Sequence, residues 1–301
     1  MTDAAIRSLC VLCVLGALPL AAHANESSID RKVPADAKGE VLISNVSGNV
    51  DVRGWDRNEV QVTGRLDEDV ERVDVESSGN RTTIKVILPK GGHNGGDAML
   101  EIQVPRGSSV EVSAVSADVT SRGVQGAQRL TTVSGEVIAE IGGGGDSQVR
   151  SVSGDITVKG DSKPGALRVS SVSGSLELTN GAGKLDVVTV SGDARVHMID
   201  AGEVNARTTS GELELHAKLL RDARVSVEGV SGDMSLDLGN PDGLTLEIES
   251  FSGDISGCLA KDKVEKVSKY GPGVRLNTHT GNGAARVRAK TLSGDIEVCD
   301  H

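Results

Sequence analysis

One short bend motif recurs at nearly constant spacing in this 301-residue chain, and it restricts the possible folds more than any other feature. Its reference copy is Val152-Ser153-Gly154-Asp155-Ile156-Thr157-Val158. Further copies place the bend at Ser134-Gly135, Ser173-Gly174, Ser191-Gly192, Ser210-Gly211, Ser231-Gly232, Ser252-Gly253 and Ser293-Gly294. Ser47-Gly48 is an outlying copy and Ser116-Ala117 a degenerate one. From Ser116 to Ser252 the serines lie 18, 19, 20, 18, 19, 21 and 21 residues apart. A period near 20 residues marks a repeat architecture, in which one unit cannot bury its own apolar face and must stack on the next.

With the Ser of each copy numbered zero, apolar residues fall at −6, −4 and −1, then at +3 and +5. Around Ser173 these are Leu167, Val169, Val172, Leu176 and Leu178. Within each half the period is two, which is strand periodicity. The parity changes between −4 and −1, so the chain is expected to bend near Ser-Gly and turn both residues to one core. Glycine relaxes the backbone there, and Ser and Asp bond to nearby backbone groups. A looser turn closes each unit, as in Asn180-Gly181-Ala182-Gly183 and Gly239-Asn240-Pro241-Asp242-Gly243. The expected fold is all-β, a β-solenoid of two-strand rungs about 20 residues long, with about ten rungs spanning roughly 50 Å. Short strands at this spacing also suit a β-sandwich; bends at one fixed phase favour the solenoid.

Four segments follow along the chain. Residues 1–24 read as a secretory signal: Arg7, then the apolar run Leu9 to Leu20, then the small-x-small site Ala22-His23-Ala24, with cleavage between Ala24 and Asn25. No later apolar stretch is long enough to anchor the mature chain. Residues 25–106 read as an irregular N-terminal β cap, with a hairpin at Ser77-Ser78-Gly79-Asn80. Such a cap covers the exposed core and edge of an open stack. Residues 107–258 are the regular repeats. Residues 259–301 read as a closing hairpin and a last repeat, with Asn282-Gly283 turning between Val274–Thr280 and Ala285–Thr291.

The chain carries few residues in patterns that support chemistry. The formal charge of −11 argues against nucleic acid and anionic membrane surfaces as partners. The aromatic residues are Trp55, Phe251 and Tyr270, too few for sugar platforms or base stacking. His93, His197, His216, His279 and His301 show neither metal-binding spacing nor a nucleophile motif, although His197 and His216 share the +6 position of adjacent copies. Gly142 to Gly145 lack the Lys-Ser/Thr of a phosphate loop and read as a flexible turn. The acids at +2, Glu136, Asp155, Asp193, Glu212, Asp233, Asp254 and Asp295, form a column in which each is expected to accept backbone hydrogen bonds within its own bend; a cation between them is the other reading. No catalytic residue, metal site or cofactor is expected. Cys258 and Cys299 both lie at +6, and their pairing as a disulfide is expected if their two copies stack directly, and excluded if a strand intervenes.

The serial Val-Ser-Gly-Asp copies from Val133 to Val298, with Val46-Ser47-Gly48-Asn49-Val50-Asp51-Val52 and Val104-Pro105-Arg106-Gly107 upstream, resemble the bacterial putative-adhesin family of β-strand repeat proteins, a domain-of-unknown-function family. The resemblance implies an exported or membrane-attached β-solenoid and offers no catalytic residues. The functional expectation is a non-enzymatic envelope protein, periplasmic or at the cell surface, that binds an envelope or cell-surface component. An accessory role in envelope-stress sensing is the alternative, and a polysaccharide-active β-helix enzyme a minor one.

Overall fold

The computed structural model of the chain describes residues 27–89, 96–142, 145–240, 242–261, 263–269 and 271–300. The signal segment with its Ala24/Asn25 site, His93, Tyr270 and His301 lie outside the described residues. All regular structure is β. In chain order the strands are β1 (Ser27–Pro34), β2 (Glu40–Trp55), β3 (Glu59–Leu66), β4 (Arg72–Ser78), β5 (Arg81–Ile87), β6 (Ala98–Pro105), β7 (Ser109–Arg122), β8 (Gln128–Thr131), β9 (Val137–Ile141), β10 (Ser147–Ser151) and β11 (Ile156–Gly160). They continue with β12 (Gly165–Ser173), β13 (Leu176–Ser191), β14 (Ala194–Ser210), β15 (Leu213–Ser231), β16 (Met234–Gly239), β17 (Leu244–Ser252), β18 (Ile255–Ser256), β19 (Val264–Lys266), β20 (Val274–His279), β21 (Ala285–Ser293) and β22 (Ile296–Cys299).

The architecture is β-solenoid-like. Segments before each bend pair in parallel with the same segments of the neighbouring copies, and segments after the bend do likewise. Val149 faces Leu130 and Val169, while Val158 faces Ala139 and Leu178. The bend serines stay in register: Ser173 opposite Ser191, Ser191 opposite Ser210, Ser210 opposite Ser231. The loose turn at Asn180–Gly183 falls within β13 as a corner with shifts in register, Asn180 taking a φ of 55° and Gly183 of 86°.

The core is not the one the apolar pattern suggests. In the Ser191 copy Leu185, Val187 and Thr189 are all buried, while Val190 at −1 is 41 % exposed. The period of two thus runs unbroken through −6, −4 and −2, and the residue at −1 points outward. The inner side of the bend is narrow, and the −2 position holds mainly small hydroxyl residues such as Thr132, Ser151, Ser171, Thr208 and Thr291, all buried. Some of the −2 hydroxyls donate to bend carbonyls, Thr132 Oγ1 to Ala117 O at 3.3 Å and Ser250 Oγ to Gly294 O at 3.1 Å, whereas those of Ser151, Ser171 and Thr208 meet no protein acceptor among the described residues. A valine in place of Thr132 would leave the buried Ala117 carbonyl without that donor. The glycine at +1 has its own reason. Gly294 has a φ of 132°, and a Cβ built on it would lie 2.2 Å from the carbonyl oxygen of Gly232 in the next rung.

At both ends the spatial order departs from the chain order. β2 lies inside the stack: β7 pairs with one of its edges, with Ser47 opposite Ser116, and β5 and β6 pair with the other. Antiparallel strands cover this outer layer, β4 on β5, β3 on β6 and β1 on β3. The β4–β5 pair turns at Gly79-Asn80. At the other end β15 and β16 pair with β21 and β22, and β17 lies beyond them. Ser293 therefore faces both Ser231 and Ser252: the last copy in sequence is inserted between the two that precede it.

The hairpin expected at Asn282-Gly283 does not form. β20 pairs antiparallel with β17, and β21 pairs in parallel with the opposite edge of the same strand. The chain at Asn282-Gly283 instead passes over the end of β17, where the Thr245 hydroxyl donates to Gly283 O at 2.9 Å. With its upper edge taken by β20, β17 offers β21 only the slot beside β15.

Candidate interaction surface along the bend edge

Because −1 points outward, the bends build a mostly apolar ridge, interrupted by Thr209 and with Val152 only half-exposed. In spatial order it runs Val115, Val133, Val152, Val172, Val190, Thr209, Val230, Leu292 and Phe251, following the pairing of the flanking serines. Val230 is 47 % exposed, and Leu292 and Phe251 are each 54 % exposed. At strand spacing the ridge is about 40 Å long. Single exposed valines are ordinary, whereas an aligned row of exposed apolar side chains is not.

The acids at +2 run beside the ridge: Asp118, Glu136, Asp155, Asp193, Glu212, Asp233, Asp295 and Asp254, with Ser175 in the remaining place. The aspartates bond across rungs, not within their own bends. Asp118 Oδ1 accepts from Glu136 N at 2.9 Å, Asp155 from Ser175 N at 2.8 Å, and Asp193 from Glu212 N at 3.0 Å. Asp233 accepts from Asp295 N and Asp295 from Asp254 N, both at 2.8 Å, which follows the inserted order. The geometric cause is that a carboxylate at the bend projects along the stack, toward the N–H of the +2 residue in the neighbouring rung.

The flat faces differ in their electrostatics. There, charges meet opposite charges one rung away: Arg168 with Asp186 at 3.1 Å, Lys184 with Glu203 at 3.0 Å, Arg207 with Glu228 at 3.2 Å and Arg288 with Glu247 at 2.7 Å. The Lys184 ammonium, then the Asn205 amide, hold Glu203 below the usual carboxylate range, and the Arg288 guanidinium does the same for Glu247. None of the +2 acids has an ion-pair partner among the described residues. The bend edge is therefore apolar and uncompensated acidic side by side, whereas the faces are locally neutral.

The other candidate residues resolve individually. His197 and His216 are cross-strand partners, and His216 lies between Glu214, 2.9 Å from Nε2, and Asp237, 3.1 Å from Nδ1. Among the described residues no group of three or more His, Cys, Asp or Glu could hold a metal ion. Trp55 clips its own turn, donating from Nε1 to Glu59 O at 2.8 Å with Arg57 5.0 Å above its ring, so neither its edge nor that face is open to a ligand. A polar groove of about 830 Å³ lies over β17, β20 and β21, but its acids Glu247 and Glu249 are paired with its own Arg288 and Arg275. Cys258 and Cys299 are unbonded thiols on directly stacked copies. No described helix is long and apolar enough to cross a membrane. The sequence alone does not reveal the ridge, because a valine recurring at a fixed phase has the composition of a core residue. The small residue at −2 was the available signal.

No curated protein sequence matches the chain. Solved structures match it at low identity. A "putative cell adhesion protein" from Clostridium sporogenes is 12% identical, covers 92% of this chain and 100% of its own, and has a TM-score of 0.25. A "putative adhesin" from Bacteroides fragilis is 13% identical, with coverages of 92% and 99% and a TM-score of 0.34. A "putative lipid binding protein" from Parabacteroides distasonis is 13% identical, with coverages of 92% and 98% and a TM-score of 0.39. Similarity at this level carries no argument about the site. The sequence itself matches the family described as Toastrack DUF4097 over residues 22–181 and again over 56–299. The chain, with its serial bends and stacked strands, belongs to the Toastrack DUF4097 family.

Proposed function

We propose that this protein is an exported, non-enzymatic binding scaffold of the cell envelope, and that its contact surface is the bend edge. The observation that carries the reading is the apolar ridge from Val115 to Phe251 beside an acid column without basic partners. The fitting partner is an elongated protein segment with an apolar edge flanked by lysine or arginine. A second copy of this chain fits poorly, because it would set acid column against acid column. A ridge about 40 Å long and roughly 10 Å wide offers about 400 Å², half of what one side of a standard interface buries. Binding through it is accordingly weak per rung and summed along the stack. The apolar run at Leu9–Leu20 and the Ala24/Asn25 site support export, and an N-terminus at Asn25 on protein recovered from the envelope is the corresponding mark.

The test compares the wild type with a Val172→Ser, Val190→Ser, Val230→Ser triple variant. All three side chains are exposed, so each change should alter stability by less than about 0.5 kcal/mol. The probes are two synthetic extended peptides with alternating leucine, one carrying lysine and the other glutamate between the leucines. Tighter binding of the lysine peptide, weakened by salt and at least tenfold weaker in the variant, is the expected result. Equal binding of both peptides, self-association of the wild type through the ridge, or a variant that binds unchanged would each overturn the reading.

A further inference from the structure

The inserted rung at the C-terminal end brings Cys258 and Cys299 together, the two cysteines of the described chain. Ser252 faces Ser293, Ile255 faces Ile296 and Ser256 faces Glu297, so the register continued by two residues sets Cys258 beside Cys299. No strand intervenes, because β20 occupies the other edge of β17. The backbone N–H of Cys258 donates to Cys299 Sγ at 3.0 Å, and that of Asp300 donates to Cys258 Sγ at 3.3 Å, so each sulfur reaches the other's strand. Parallel neighbours hold their Cα atoms about 4.8 Å apart, inside the roughly 4.4–6.8 Å that a disulfide spans.

The position of the pair gives it a purpose. β22 is held from outside by β18, which is two residues long. Beyond it, at the +5 place where most copies carry an apolar residue, Gly257 turns the chain across the end of the core with a φ of 108°. The inserted rung is thus least secured at the point where the two cysteines meet.

We infer that Cys258 and Cys299 are a disulfide site that fastens the inserted rung to the outermost one. The bond forms by thiol–disulfide exchange with a disulfide donor. One cysteine, as thiolate, attacks a donor sulfur and releases a donor thiol. The second thiolate attacks the resulting mixed disulfide, closes the Sγ–Sγ bond and releases the second donor thiol. Two electrons and two protons pass to the donor. Slight desolvation of the exposed Cys258, then the Cys299 thiol, pushes the Cys258 thiol up from its usual value, so exchange accelerates with rising pH.

The test uses the folded full chain with oxidised glutathione as donor at alkaline pH. Peptide mapping should find the fragments that contain Cys258 and Cys299 linked. Backbone amide exchange in residues 285–299 should then slow by roughly 30-fold or more relative to the reduced protein. A Cys258→Ser, Cys299→Ser double variant should show no such slowing. Glutathione adducts or free thiols at both positions, with no link, would overturn the site. A link that leaves exchange in residues 285–299 unchanged would overturn the fastening. The oxidised and reduced wild type decide both points even if the variant folds poorly.

Discussion

The two ends of the stack use the same topological device and build it with different amounts of material. At each end the terminal copy in sequence, β2 or β21 with β22, lies one place inside the outermost layer. At the N-terminal end both halves of the outer layer are covered, β5 by β4 and β6 by β3. Ile84, Val86, Leu100 and Ile102 are buried there, backed by Val60 and Val62. At the C-terminal end only the first half is covered, by β20 on β17. The second half ends in the two residues of β18 and a turn whose Leu259 and Ala260 fold over the core. An end rung needs both of its strands paired to resist fraying. By that measure the N-terminal end is an integral part of the stack, and the C-terminal end is a separable layer.

The hardest way to strain this difference is to make the same steric error in both inserted copies. Gly48 has a φ of 104°, and a Cβ on it would lie 2.4 Å from Ala98 O; Gly294 meets Gly232 O in the same manner. Valine at either position combines backbone strain with a clash against backbone, at least about 3 kcal/mol. Gly294→Val should abolish amide protection in residues 244–256 and 285–299 while the stack from β7 to β15 stays protected. Gly48→Val should remove protection across residues 40–105 and lower the unfolding midpoint of the whole chain. Hydrogen exchange read by mass spectrometry separates the cases, and global unfolding in both variants would end the distinction between an integral and a separable end.

The contrast also shows what the sequence could and could not convey. The period, the bends and the +3 and +5 core positions were legible, because strand periodicity and glycine-bearing bends act locally. The orientation of Val172 or Val190 was not, because hydrophobicity alone does not state a direction; the burial of Ser171 and Thr189 decides it. The insertion of the Ser293 copy was less legible still. Copies that share one motif can stack on one another in any order, so the order is set by which edges remain free once β20 has paired with β17. Asn282-Gly283 has the composition of a hairpin turn, and only the prior occupancy of that edge prevents one. For the candidate site, the acid column was visible and its cross-rung bonding was not, since a spacing of about 20 residues names no acceptor.

A finer probe is the aspartate clamp. Asp295 holds Asp254 N at the separable end, and Asp155 holds Ser175 N in mid-stack. Alanine at either position removes one acceptor, worth about 1 kcal/mol. Asp295→Ala should speed exchange locally at the Asp254 amide and its neighbours, since that layer opens on its own. Asp155→Ala should show its cost in the global unfolding midpoint. Asparagine, whose Oδ1 also accepts, should restore most of either loss. Equal local effects at the two positions would mean that the stack opens rung by rung throughout.

The smallest expected effect is electrostatic, and its sign is determined. Arg288 of the inserted rung donates to Glu247 of the outermost one at 2.7 Å, and this bond, followed by the guanidinium charge, lowers the Glu247 pKa. A carboxylate whose folded pKa is depressed adds stability that is fully present above its unfolded value, about 4.3. That stability is lost as pH falls through the lowered folded value. Both partners are exposed, so the contribution is modest and screened by salt. Glu247→Gln should therefore speed amide exchange in residues 285–293 at pH 6, and the difference from wild type should shrink as the pH is taken below about 4. Added salt should shrink the difference at pH 6 as well. Glu203, lowered by Lys184 between β13 and β14, provides the comparison within the stack. The same substitution there should leave local exchange nearly unchanged, because β14 has a strand paired along each of its edges. A difference at Glu247 that persisted unchanged to pH 3 would assign the effect to packing of the side chain and not to its charge.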